Sequence, residues 1–185
     1  MKFTATDLEG VLIIEPDVFR DERGFFLESY QRRKYAAAGV PEVFVQDNHS
    51  LSRRGTIRGL HAQRIRPQAK LIRVLRGAIF DVVVDIRKGS PGFCRWIGLE
   101  LSADNFRQCY VPAGYAHGFC VLSELAEVEY KCSEFYDPAD ELTIAWNDPR
   151  IGVRWPTADP ILSPKDRQAP PLAQLMELLP LYRRV

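Results

Sequence analysis

The sequence predicts a mainly β protein, folded as an antiparallel sandwich or barrel with a few short peripheral helices. Two observations carry that expectation. Short runs rich in β-branched and aromatic residues follow one another at close intervals, with Pro, Gly, Asn and Ser between them. Apolar residues at helical spacing are confined to two short segments, so the chain lacks the strand–helix alternation of a βαβ fold.

Taken in order, the N-terminal "MKFTATDLEGVLIIEP" has too short an apolar run for a signal segment or a membrane span, which predicts a cytoplasmic protein with no membrane partner. "SYQRRKYAAAG" is a run of helix formers with a stop at Gly39. Residues 46–63 read as a polar strand pair. "AKLIRVLRGAIFDVVVDIR" reads as two strands about a turn at Arg76-Gly77, with Arg73, Asp81 and Asp85 alternating against apolar neighbours. "RWIGLEL", "RQCYVP", "GFCVLS", "AEVEYKC" and "ELTIAW" follow as further strands, and "LAQLMELL" predicts a C-terminal helix at about 171–179. The chain shows no internal repeat and no linker, so residues 1–185 are expected to form one domain.

Composition narrows the function. With 46% hydrophobic and 26% charged residues the chain has the balance of a globular protein, and a net charge of +1 makes no case for nucleic acid as a partner. Of the 25 basic residues 19 are Arg, which favours an anionic small ligand; a compositional bias of the source is the other reading. Cys94, Cys109, Cys120 and Cys132 form no C-x-x-C pair and are expected to be small buried hydrophobes.

Two polar clusters ask for ligand chemistry. Gln46, Asn48 and Ser50 share one strand face, which either looks out to solvent or lines a pocket, because side chains alternate along a strand. In "CYVPAGYAHGFCVL", Pro112, Gly114 and His117 have the spacing P-x-G-x-x-H, with Tyr115, His117 and Phe119 on one face. This resembles the second motif of the cupin superfamily. The first cupin motif begins with H-x-H, and here that segment is His61-Ala62-Gln63. Gln is a poor ligand for a transition metal, so no metal is expected and His61 is left free to act as a base.

Eight segments in order carry a closer resemblance: "VFRDERGFFLESY", "VQDNHSLSRRGTIRGLHAQ", "KLIRVLRGAIFDVVVDIRKGSP", "LSADN", "VPAGYAHGFCVLS", "YKCSEFYDPADE", "WNDPRIGVRWP" and "PILSPKD". The chain resembles the dTDP-4-dehydrorhamnose 3,5-epimerase family over nearly its whole length. The resemblance implies a cupin jelly roll, a homodimer, no cofactor, and a dTDP-linked 4-keto-6-deoxyhexose as substrate. It also implies His61 as base, Asp166 as the carboxylate that orients it, Lys70 as the cation beside O4, and Tyr130 as the proton donor across the ring. Gln46, Asn48 and Arg58 match residues around the sugar and diphosphate, and His117 and Tyr136 are expected to line the same cavity. Arg23, Phe26 and Glu28 match a segment that serves the neighbouring subunit's site, through N-terminal strands exchanged in the dimer.

One departure stands out. The residue after the base is usually aromatic in this family, and here it is Ala62, whose side chain should point away from the His61 face and alter packing behind the site. Rival readings are an epimerase of C3 only or C5 only, a cupin sugar ketoisomerase, a non-catalytic sugar-nucleotide binding module, and a metal-dependent cupin oxygenase. Gln63 weakens the last, and the set His61, Lys70 and Tyr130 weakens the two before it.

Overall fold

The computed structural model describes residues 1–41 and 43–182. Its strands are β1 (Lys2–Ala5), β2 (Leu12–Glu15), β3 (Val18–Asp21), β4 (Gly24–Leu27), β5 (Gln46–Arg53), β6 (Ile57–Gln63), β7 (Lys70–Arg76), β8 (Ala78–Asp85), β9 (Trp96–Ser102), β10 (Gln108–Val111), β11 (Tyr115–Val121), β12 (Leu125–Cys132) and β13 (Glu141–Thr143). Two short helices, α1 (Arg32–Ala37) and α2 (Pro164–Arg167), lie outside the sheets. A six-stranded sheet has the order β1-β2-β10-β7-β12-β5, and a five-stranded sheet has the order β13-β6-β11-β8-β9. Every pairing between these strands is antiparallel. The jelly-roll class expected from the sequence is therefore the class observed.

Alternation along the strands explains the layers. Ile79 and Val83 of β8 point into the sandwich and pack with Ile72, Val74, Val128 and Leu101. Val82 and Val84, on the opposite face of the same strand, meet Leu60, Ala62 and Leu142 beneath a cover of Ile151, Leu172, Leu175 and Leu179. The five-stranded sheet is thus buried on both faces, which is why "AIFDVVVD" reads as a nearly continuous apolar run. On the outside of the six-stranded sheet, Ile14, Leu71 and Tyr110 pack against Tyr35 of α1. That helix starts where the Gln31 side chain accepts the Lys34 N–H at 2.8 Å, and the chain leaves it through Gly39 at φ +94°.

Two sequence expectations need correction. The segment at 171–179 is not one helix but two 3-10 turns, Leu172–Gln174 and Met176–Leu178. Pro170 and Pro171 precede it and Pro180 follows it, so an α-helix has little room to propagate, and the three-residue spacing of Leu172 and Leu175 suits the tighter turn. Strands β5 and β6 are not paired with each other: they lie in different sheets and bound the cavity from opposite sides. Strand β7 belongs to the six-stranded sheet, facing β6, and carries Lys70 with it.

The candidate active site

Between the sheets lies a cavity of about 910 Å³. From the six-stranded wall β5 presents Gln46, Asn48, Ser50 and Ser52 to it, β7 presents Lys70, and β12 presents Tyr130. The face that period two left undecided is therefore the lining. The other wall supplies Arg58 and His61 from β6 and His117 and Phe119 from β11.

Arg58 and His61 are three residues apart, so a regular strand would send them to opposite faces. Both line the cavity because β6 carries an extra residue between them: His61 pairs with His117 and Arg58 with Phe119, three steps against two. Gly59 makes this possible. Its φ is +127°, and a Cβ there would come within 2.6 Å of the Gly118 Cα and 2.8 Å of the His117 carbonyl oxygen. The bulge turns Arg58 inward, where its Nε donates to Ser52 Oγ at 3.0 Å.

The side chain of His61 is partly open to the cavity, and its Nε2 lies 2.5 Å from Asp166 Oδ1. Asp166 itself is buried and is delivered by α2, which Ser163 caps by accepting the Asp166 N–H at 3.1 Å. The Ser163 hydroxyl also donates to Asp166 Oδ2 at 2.8 Å. Burial alone would raise the Asp166 pKa, but the hydrogen bond from His61, the imidazole's charge and the Ser163 hydroxyl together hold the carboxyl below its ordinary value. Across the cavity, burial pushes the Tyr130 phenol up, so it stays protonated at neutral pH. Burial also pulls the Lys70 ammonium down, against the opposing carboxylates of Glu141 and Asp81.

His117, His61's partner in the register, forms a second histidine–carboxylate pair: its Nε2 lies 2.7 Å from Asp81 Oδ1. Both groups are buried. Tyr136 stands half-exposed at the rim, its hydroxyl donating to Glu141 Oε2 at 3.1 Å, while Lys165 Nζ donates to both oxygens of Glu141 at 2.7 and 2.8 Å. Among the described residues, no three of His, Cys, Asp and Glu are grouped to hold a metal ion.

Sequence reasoning missed Asp81, Glu141 and Lys165. A carboxylate on the inward face of an apolar strand was the available signal for Asp81, because a buried charge demands a partner. Lys165 was visible only as the neighbour of Asp166. Three expected residues are not in this cavity. Arg23 pairs with Asp21 at 2.5 Å, Glu28 pairs with Lys34 at 2.7 Å, and Phe26 is 70% exposed on the β3–β4 hairpin.

An antiparallel two-sheet jelly roll enclosing a polar cavity places the protein in the cupin class. Within it, the family model for dTDP-4-dehydrorhamnose 3,5-epimerase matches residues 5–174, and the chain belongs to that family. A relative from Pseudomonas aeruginosa, named dTDP-4-dehydrorhamnose 3,5-epimerase, is 54% identical over 170 residues, covering 91% of this chain and 94% of the relative. The crystal structure of a dTDP-6-deoxy-D-glucose-3,5-epimerase from Legionella pneumophila, in complex with dTDP-4-keto-L-rhamnose, superposes with a TM-score of 0.96 at 46% identity and 99% coverage of both chains. A dTDP-4-dehydrorhamnose 3-epimerase of Streptomyces niveus is 42% identical over 186 residues, 98% of this chain and 90% of the relative.

Proposed function

We propose that the protein epimerises C3 and C5 of a nucleotide-linked 4-keto-6-deoxyhexose, converting dTDP-4-dehydro-6-deoxy-D-glucose to dTDP-4-dehydro-L-rhamnose. The observation that carries this reading is the placement of His61 and Tyr130 on opposite sheets, facing one cavity. An epimerase must take a proton from one face of a carbon and return one to the other, and this arrangement offers an acceptor and a donor on the two sides.

The C4 ketone makes the hydrogens of C3 and C5 acidic. His61 accepts one of them; the C–H electron pair becomes a C=C bond as the carbonyl electrons move onto O4. Asp166 keeps Nε2 of His61 protonated, which leaves Nδ1 as the basic atom, and stabilises the imidazolium once the proton has arrived. Lys70 faces the cavity from the six-stranded wall as the donor that meets the negative O4, so little reorganisation is needed as the enolate forms. Tyr130 delivers a proton to the opposite face and the ketone is restored. Atoms and electrons balance without a cofactor, because the substrate's own carbonyl supplies the electron sink.

Arg58, Gln46 and Asn48 bind the sugar and diphosphate, with His117 and Tyr136 completing the lining. The working form is a homodimer in the cytoplasm, in which the β3–β4 hairpin brings Arg23, Phe26 and Glu28 to the partner's site. Phe19 and Phe26, cross-strand partners exposed on one face of that hairpin, support the reading, since paired apolar surface of this kind calls for a cover.

Incubation with dTDP-4-keto-6-deoxyglucose in deuterated water tests the proposal by NMR. Deuterium is expected at both C3 and C5; its absence at both, with substrate bound, overturns the assignment. A C3-only epimerase is the second reading, favoured by the Streptomyces niveus relative, and would show deuterium at C3 alone.

A further inference from the structure

Gln63 stands two residues beyond His61, is 5% exposed, and takes no step in the mechanism above. Its amide is nevertheless fully engaged. Nε2 donates to the Arg66 carbonyl at 2.8 Å and to the Phe135 carbonyl at 3.2 Å, while Oε1 accepts the Asp137 N–H at 2.7 Å. Two neighbouring glutamines extend this pattern. Gln68 Nε2 donates to the Glu134 carbonyl at 2.8 Å, and Gln46 Oε1 accepts the Tyr136 N–H at 2.9 Å.

Four consecutive residues of the rim loop, 134–137, are thus each caught at the backbone by a glutamine from elsewhere in the chain. Such a loop ordinarily satisfies its backbone with its own turn residues or with water. Here the anchors come from the start of β5, the end of β6 and the segment before β7. A side-chain amide can donate and accept at once, which suits it to holding a carbonyl and an N–H of the same short segment. Tyr136 sits in the middle of this clamp, with its hydroxyl on Glu141.

We infer that Gln63 is a positioning residue for Tyr136: it fixes the rim loop so that the tyrosine stands over the cavity before substrate arrives. The inference rests on the proposed reading of Tyr136 as a substrate contact. Preordering spares the complex the entropy of organising the loop, so the effect belongs in binding and not in the proton-transfer step.

The test is a double-variant cycle. Gln63→Ala is expected to raise KM about tenfold and leave kcat within about twofold, the size of one or two lost hydrogen bonds acting on binding alone. In the Tyr136→Ala background the same change is expected to raise KM no further. If its effect multiplies in full on top of Tyr136→Ala, Gln63 does not act through Tyr136 and the inference is overturned. Should circular dichroism show Gln63→Ala unfolded, Gln63→Glu enters the cycle with the same two outcomes, since it keeps the acceptor for Asp137 and loses both donors. Amide hydrogen exchange gives a readout that needs no turnover. The Asp137 N–H is expected to lose protection in the variant, and unchanged protection overturns the clamp. A wild-type chain that binds but does not turn over the dTDP-linked sugar defeats the functional reading instead, and the exchange experiment still decides the clamp.

Discussion

The cavity holds two histidine–aspartate pairs on adjacent strands, built alike and placed differently. His61 and His117 are direct partners in the β6–β11 register, and each has Nε2 on a carboxylate oxygen, at 2.5 and 2.7 Å. The His61 side chain is 23% exposed, and its partner arrives on α2, 105 residues further along the chain. The His117 side chain is 8% exposed, and its partner Asp81 comes from the neighbouring strand with no exposure at all. Access and the origin of the carboxylate separate the pairs, and so does its second oxygen: Asp166 Oδ2 accepts from Ser163, whereas the buried Asp81 Oδ2 has no hydrogen-bond partner among the described residues. The more open ring can exchange protons with a substrate, whereas the nearly buried His117 ring shows only its edge to the cavity and ties β11 to β8 through Asp81.

Predictions follow from trying to erase that difference. The largest effect is expected for His61→Ala, which should lower deuterium exchange by about 10⁴-fold, the upper range for removal of a general base; exchange within tenfold of wild type would remove His61 from that role. Asp81→Ala breaks the buried pair and should cost about 3–5 kcal/mol of stability in urea denaturation, because it leaves a buried imidazole without its partner. A loss below 1 kcal/mol would show that the second pair does not brace the wall. Asp166→Asn, at the open pair, should fold and yet lose about 10²-fold or more in exchange, as the amide presents the wrong partner to Nε2.

Across the cavity, Tyr130→Phe should slow product formation more than C–H exchange, since the base is intact and the donor is not. Equal losses in both would argue that the phenol acts before the enolate forms.

The smallest effect concerns pH. The Asp166 pKa is lower in the folded chain than the ~3.9 of an unfolded one, so between the two values the unfolded state binds the extra proton and stability rises with pH. The contribution is present above the unfolded value and is lost as pH falls through the folded one. Asp166→Asn should therefore flatten the acid limb of Tm measured from pH 6 to pH 3, and identical limbs would contradict the depressed pKa.

The same contrast marks what the sequence made legible. His61, Lys70, Tyr130 and Asp166 could be named because they stand in quoted segments whose order survives without coordinates. Their arrangement on two walls could not, since period two says which residues share a face but not which sheet a strand joins. Residues 46–63 looked like a strand pair for that reason, although the turn after Arg53 leads the chain from one sheet to the other. The resemblance named Arg58 for the same site as His61, but simple alternation puts the two on opposite faces, and only the bulge at Gly59 explains how both reach the cavity. Ala62 behaved as alternation predicts: it lies in the outer core with Leu60 and Leu142, so the missing ring bears on the layer behind His61. Gln63 was read only as a lost metal ligand, since a side chain that holds a distant loop leaves no local pattern.

The place of Asp166 in the chain also sets a timetable. Among the described residues the last strand ends at Thr143, and the carboxylate that pairs with His61 follows on α2, beyond all thirteen strands. During synthesis from the N-terminus, the strands of both walls are made before the carboxylate that pairs with His61. The two halves of the pair are thus 105 residues apart in the chain, and they meet only when the C-terminal segment docks on the five-stranded sheet, where Leu172, Leu175 and Leu179 cover the outer core.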